Sequence, residues 1–556
     1  MALTRDAQSP HPAMSTKKRG IVMQRRTLLT GAAGAMLLSA LPATTLRAFA
    51  QTSQGVITFG QSTAVLTLDP AHGAFTGYPG GYEAALVLFD RLLDFDADMT
   101  IVPQLAESYR MSDDLKSCEL KLRSGVTFHD GTPCDAAAVK FNIERMMNKE
   151  INTTNRPLWD PISGVDMVDD TTIVIRMSAP FAQLPNTLAH GSGAIVSPAA
   201  IEKFGEDGFA QNPVGAGPYR MDSFNAGQEL VLKAYDGYWG GAPGATGIVF
   251  RFIAEPATRI NALTTGAVDV IDAVPVHLVG QLSGNADIEI ARRPGLRPIG
   301  LAFNLTRPAL QDVKLRKALN LAVPVATIAE RVFFGFAKAP DSPLAFDAIG
   351  HRTVGETVFD QAKAKALLAE AGYSAGADGI LEKDGEKLSL SFFAPDGLFP
   401  GDVAVAEIVA ASLRQVGVDA AINKIEKGAY WDHLRQDKAN LAWDMAMFGF
   451  NPSNASGTYH LASLFKSNAD DNGKPDVWNI ARYRNEKVDA LLETASSAPE
   501  ESARLDALGE AQALIWEDAP YLWLQINENV SAAGKSVSGL GVLPIVFTTL
   551  RNASKA

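Results

Sequence analysis

Cysteine is almost missing from this chain: Cys118 and Cys134 are the only two in 556 residues. A framework of several disulfides and a four-cysteine zinc site are both excluded. One bridge remains open; in the chain-entropy model a loop of that size would contribute roughly 3 kcal/mol, and spacing alone does not decide between a bridge and two thiols. Cations are outnumbered, with 50 Lys and Arg against 62 Asp and Glu and a formal net charge of −12. Nucleic acid is therefore a poor partner, because phosphate binding needs clustered Lys and Arg. Histidine is sparse, and no two histidines have the spacing of a metalloprotease helix. The seven beyond the N-terminal segment are scattered from His72 to His460, and a two-histidine site such as His72 with His460 stays open. Beyond the first fifty residues no apolar run is long enough to span a bilayer.

Catalytic motifs are lacking as well. Gly372-Tyr373-Ser374-Ala375-Gly376 has the pattern of a serine-hydrolase nucleophile, which requires a turn from strand to helix. Here it follows a helical stretch, so Gly372 reads as a helix cap. Gly534-Lys535-Ser536 resembles the end of a phosphate loop, but Asn529 stands where the first glycine is required. No enzyme is expected, and no cofactor or metal.

What is present begins with an export signal. Arg25-Arg26 opens Gln24 to Leu29, an apolar small-residue stretch runs from Gly31 to about Leu46, and Ala48-Phe49-Ala50 sets cleavage before Gln51. The paired arginines indicate the twin-arginine route. Met1, Met14 and Met23 are all candidate starts. The expected location is the periplasm, as a soluble protein after signal removal.

Hydrophobic residues at 47% and charged residues at 20% suit a globular chain, and its length calls for two or three domains. Strands and helices are mixed throughout. Cys118, Leu120 and Leu122 alternate with charged residues as in a half-buried strand. Val126-Thr127-Phe128, Thr172 to Met177, Leu230 to Leu232, Leu388 to Phe393, Met445 to Phe448 and Tyr521 to Ile526 read as further strands. Asp135 to Met147, Val313 to Ala322 and Gln361 to Ala371 read as helices. Val405, Val409, Leu413 and Val416 lie on one helical face, with Gly417 as its cap. Asn212-Pro213-Val214-Gly215-Ala216-Gly217-Pro218-Tyr219 is a turn of fixed shape.

Several runs, taken in order, carry a resemblance. They are Leu68-Asp69-Pro70, Leu88-Phe89-Asp90-Arg91-Leu92, Val102 to Ser108, Leu122-Arg123-Ser124-Gly125-Val126-Thr127-Phe128-His129-Asp130-Gly131-Thr132-Pro133, Asn212 to Tyr219, Tyr238-Trp239-Gly240-Gly241, Gly266 to Val270, Val313 to Asn320 and Ala362 to Leu368. Together they resemble the extracellular solute-binding proteins of peptide, nickel and opine ABC importers. Leu188-Ala189-His190 through Ser197-Pro198-Ala199-Ala200 to Tyr219 is most similar to the glutathione-binding branch.

The resemblance implies an α/β periplasmic binding protein fold: two lobes joined by two hinge strands, an additional small domain on the first lobe, and a hinged ligand cleft. The implied map gives lobe one 51–92, 195–302 and 522–556, the small domain 93–194, and lobe two 303–521, after a signal at 1–50. Hinges are expected near Phe303-Asn304 and Tyr521. A monomer would close on a small peptide-like solute (glutathione, a di- or oligopeptide, or a related conjugate). It would then dock on a membrane permease driven by a separate ATPase. A nickel or metallophore ligand, an opine or sugar conjugate, an enzyme on the same scaffold and a chaperone are the alternatives.

Gly125, Gly131, Gly215 and Gly217 are expected to shape turns. The expected ligand contacts are Tyr78 in the loop Gly77 to Gly81, Arg156 and Trp159, Arg297 and Asn304 near the hinge, and Asp396, Phe450, Asn451 and Ser453 in lobe two. An arginine fork matches a carboxylate, and an aromatic ring gives apolar contact at small entropic cost. Peptide-binding members often place an acid after the strand corresponding to Met445–Phe448 to hold the ligand's ammonium. Gly449-Phe450-Asn451-Pro452-Ser453-Asn454 has none, which disfavours ordinary free-amine peptides unless Asp396 substitutes.

Overall fold

The computed structural model describes residues 55–72, 79–151, 153, 155–470, 472–475, 478–545 and 547–556. The proposed signal, the disputed start codons and Tyr78 lie outside them. Among the described residues, no helix is long and apolar enough to cross a membrane.

A single sheet runs through both lobes. Its order is Asp419–Glu426, Ser389–Asp396, Met445–Gly449, Ile288–Phe303, Tyr521–Gly534, Val270–Ile271, Val56–Gln61, Gly247–Phe252, Glu229–Ala234 and Tyr219–Asn225. Val56–Gln61 lies parallel to Gly247–Phe252, and Ser389–Asp396 parallel to Asp419–Glu426. In the first of these pairs most side chains are buried, as parallel strands covered on both faces require. The long strands Ile288–Phe303 and Tyr521–Gly534 run antiparallel from one half of the sheet into the other.

Their ladder is irregular at Pro294–Pro298, opposite Ile526–Glu528, and again at Ile299/Gly300. Proline has no amide hydrogen to give to a ladder, so two prolines around Gly295 weaken the pairing there. Phe303 and Tyr521, the expected hinge positions, lie instead at the end of the pair, where Ala302 is still in register with Tyr521.

A separate four-stranded antiparallel sheet has the order Ala106–Met111, Ser117–Leu122, Thr172–Met177, Ile162–Asp169. Cys118, Leu120 and Leu122 face inward as their alternation predicts. Helix Ala136–Met147 is started by Asp135, whose carboxylate accepts the Ala138 amide at 3.0 Å. Val126-Thr127-Phe128 is not a strand: one bridge, Thr127 to Pro133, closes it into a turn. Cys118 and Cys134 are both free thiols and buried.

Helix Asp402–Arg414 buries Val405, Val409 and Leu413, and Gly417 closes its end at φ +85°. Helices Val313–Ala322 and Gln361–Glu370 match the expected spans and are capped by Asp312 and Asp360. Gly372 has φ +91° and receives no helix after it, so Ser374 is no hydrolase nucleophile.

Candidate ligand-binding cleft

Four segments converge between the lobes. The first is the turn Gly449–Asn454 that follows a central strand of lobe two. The second is Gln183–Ser192, a short helix and the turn after it. The third is the C-terminal return around Ile545 and Phe547. The fourth is the pair of crossing strands. These segments meet through polar contacts. Asn451 Nδ2 donates to the Ile545 carbonyl at 2.9 Å, and Asn186 Nδ2 to the Asn454 carbonyl at 3.0 Å. The Ala182 amide donates to the Ser496 carbonyl at 3.0 Å.

A relay fixes the bridge to Ser453. Trp159 Nε1 donates to Ser192 Oγ at 3.0 Å. The Ser192 amide donates to His190 Nδ1 at 3.1 Å, so Nδ1 is the bare nitrogen and Nε2 carries the hydrogen. His190 Nε2 then donates to Ser453 Oγ at 2.8 Å. Burial, with Arg91 nearby, pushes His190 down to about 3. Tyr82 packs flat on Phe547, ring centroids 4.0 Å apart, and its hydroxyl accepts the Gly191 amide at 2.8 Å.

An aromatic wall continues from the turn into lobe two. Phe450 lies 6.2 Å from Trp478, 5.8 Å from Tyr459 and 5.5 Å from His460. Trp431 meets Trp478 edge-on at 5.6 Å, and the Arg435 guanidinium carbon lies over Trp478, 4.6 Å from its centroid.

The nine expected contacts separate into groups. Phe450, Asn451 and Ser453 come together at the turn, and Arg297 packs beside it: a Cβ on Gly449 would meet Arg297 Cγ and Cδ at 3.3 Å. Arg156 must be withdrawn. Its guanidinium donates to the carbonyls of Met146, Asn148 and Ile151 at 2.9, 2.7 and 2.5 Å and closes the end of a helix. Asn304 is also withdrawn: it is fully buried, and its amide is used by Thr306 and the Trp443 carbonyl. Trp159 is buried behind the relay and positions Ser192. Asp396 ends its strand exposed to water, so it supplies no buried acid for an ammonium.

Sequence reasoning missed His190, Tyr82, Trp431, Arg435, Trp478 and Gln525. His190 stood inside a run already noted for its resemblance, and Tyr82 is four residues beyond the tyrosine chosen in the Gly-rich loop. Gln525 gave no signal. It is fully buried in the crossing strand, opposite Ile299, and both amide atoms lack a partner, as do Asn451 Oδ1 and Asn527 Oδ1. Buried polar atoms are normally paired, so unpaired ones on the crossing strand and the turn leave bonding capacity unused. Among the described residues no three His, Cys, Asp or Glu side chains form a metal cluster. His460 is buried and held neutral, down to about 3.

A hinged pair of α/β lobes closing over unpaired polar groups and an aromatic wall defines a ligand-capturing binding protein. The chain belongs to the bacterial extracellular solute-binding proteins, family 5, whose description reads "Bacterial extracellular solute-binding proteins, family 5 Middle" and which matches residues 100–472. It is 31% identical to the glutathione-binding protein GsiB of Salmonella paratyphi A over 463 residues, 82% of this chain and 86% of that one. In fold it is similar to HbpA2 from Haemophilus parasuis (TM-score 0.77, 23% identity, 90% of this chain and 100% of that one). It is also similar to NikZ from Campylobacter jejuni in complex with Ni(L-His) (TM-score 0.76, 22% identity, with the same coverage).

The buried histidines make stability pH-dependent. His129, His190 and His460 are depressed to about 4, 3 and 3 by burial. A lowered folded value means that the unfolded chain binds more protons between that value and about 6.5. The histidine contribution to unfolding free energy is therefore flat above pH 6.5 and falls below it, by at most about 1.4 kcal/mol per histidine per pH unit. Glu83 and Asp272, buried and raised, act in the opposite direction. Urea unfolding at pH 7 and 4.5 isolates the histidine part: His190→Gln should lose less stability over that interval than the wild type. An equal loss would show that His190 is not buried neutral.

Proposed function

We propose that the protein is the periplasmic binding subunit of an ABC importer. It captures a small peptide-like solute (glutathione, a di- or oligopeptide, or a related conjugate) and delivers it as a monomer to a membrane permease with a separate ATPase. The observation that carries this reading is the pair of hydrogen bonds that tie the second-lobe turn to the rest of the molecule, Asn451 to Ile545 of the first lobe and Ser453 to His190 of the small domain, together with buried amide groups without partners. Contacts made only when the lobes meet are what a ligand can shift. The relatedness to glutathione-binding proteins supports the peptide-like class.

The scheme takes lobe one as 51–92, 195–302 and 522–556, the small domain as 93–194 and lobe two as 303–521. Micromolar capture corresponds to roughly 8 kcal/mol, within reach of an aromatic wall with a few fixed polar groups.

A thermal-shift screen of the chain from Gln51 onward tests the reading, with glutathione, di- and tripeptides, opines, oligosaccharides and nickel–histidine. At 100 times Kd a ligand adds about 2.7 kcal/mol, and one peptide-type solute should raise Tm by a few degrees. A shift with nickel–histidine or an oligosaccharide alone would replace the peptide reading.

A further inference from the structure

The fold gives most of its buried arginines an acceptor. Arg145 is paired with Asp69 and Glu206, Arg551 with Asp90, and Arg316 donates to the carbonyls of Leu310, Gln311, Asp518 and Ala519. That is the expected treatment, since a buried guanidinium without acceptors is costly. Arg297 and Arg435, each only partly buried, depart from it. Neither side chain makes a hydrogen bond or an ion pair among the described residues, and the Nε of each is buried without a partner. Burial alone pushes Arg297 down to about 10 and lowers Arg435, with no carboxylate acting on either.

These two side chains lie at opposite ends of one surface. Arg297 packs where Gly449 lacks a side chain. Phe450 follows Gly449, Trp478 lies beyond Phe450 at 6.2 Å, and Arg435 covers Trp478. Gly449 is required for this arrangement: a Cβ there would come within 2.8 Å of Ile299 Cγ1 as well as crowding Arg297. Asn451, two residues beyond Gly449, has an unpaired Oδ1, and Gln525, opposite Ile299 in the ladder, has both amide atoms unpaired; these can accept from and donate to a backbone-like amide. No acid stands in Gly449–Asn454, and Asp396 is in water.

The geometry points to a solute with two separate acidic groups, one held by Arg297 and one by Arg435, joined by a chain that carries an amide and an apolar portion lying on Phe450 and Trp478. This rests on the cleft being the solute site. It adds a charge requirement: an ordinary neutral peptide, with one carboxylate and one ammonium, fills only one of the two arginines.

Calorimetric titration tests it with glutathione, its diethyl ester and a neutral dipeptide, against the wild type, Arg297→Gln and Arg435→Gln, with the melting temperature of each ligand-free variant measured in parallel. Glutathione should bind the wild type at least about 30-fold more tightly than the diester or the dipeptide, the loss expected when one partner of a desolvated charge pair is removed. Each variant should weaken glutathione by a similar factor and discriminate less against the diester. The ligand-free melting temperature should stay level or rise in Arg297→Gln, because an unpaired buried charge has been removed. A merely structural arginine would lower it, and that result overturns the proposal. So does tight binding of the diester or the dipeptide, which leaves the cleft reading in place. No binding by any of the three overturns the peptide reading of the cleft and the proposal with it.

Discussion

Gly217→Val should be the most damaging single substitution in the first lobe, destabilising the protein by about 3 kcal/mol or more. A Cβ at Gly217 would lie 2.6 Å from the Leu88 carbonyl carbon and 2.7 Å from the Val87 carbonyl oxygen. Both are backbone atoms and cannot swing aside. At Gly215 the nearest atoms would be the Leu88 oxygen at 2.3 Å and Phe89 Cδ1 at 2.4 Å. The same turn is clamped from the other side by His129. Its amide donates to the Gly215 carbonyl at 2.9 Å, its Nδ1 accepts the Gly215 amide at 3.3 Å, and its Nε2 donates to the Gly217 carbonyl at 3.0 Å. The two most diagnostic sequence runs are thus one structural unit. Gly125 provides the control. Its φ is +73°, and nothing lies within 4 Å of a built Cβ, so Gly125→Ala should cost only about 1–2 kcal/mol of left-handed strain. Urea titration of both variants gives the comparison; equal losses would mean that the close approach at Gly217 is not the constraint.

Ser453→Ala should weaken solute binding about 5- to 100-fold while changing the ligand-free melting temperature little. The hydroxyl accepts from His190 Nε2 across the cleft. Without it, that N–H is buried unpaired whenever the lobes meet, which costs about 1–3 kcal/mol. The penalty falls on the closed state alone, so it appears as lost apparent affinity. Ser453→Thr, which keeps the acceptor, should retain most of the binding. Titration of both variants with the solute that stabilises the wild type checks this; an unchanged affinity for Ser453→Ala would remove the bridge from the closing energetics.

Much of the local structure was legible because it depends on neighbours in sequence. The alternation at Cys118, Leu120 and Leu122, the helical spans from Asp135, Val313 and Gln361, and the face Val405–Val409–Leu413 all act within one element. That the turn Gly449–Asn454 lacks an acid was legible, because it needs only the residues of that run. The irregularity at Pro294–Pro298 was not legible, and the hinges were expected near Phe303-Asn304 and Tyr521, where strand-like runs meet loops. The irregularity that frees the pair comes from prolines facing a strand more than 220 residues further along the chain.

Arg156 and Arg297 show where sequence information stops. Each stands beside proline in an irregular stretch, and each carries a fork that matches a carboxylate. Folding presents Arg156 with three carbonyls at the end of a helix and presents Arg297 with none. The sequence by itself determined the elements, the turns that need glycine and the family. Only the tertiary structure decided which polar groups are left without partners, because desolvation is set by atoms that distant parts of the chain bring close.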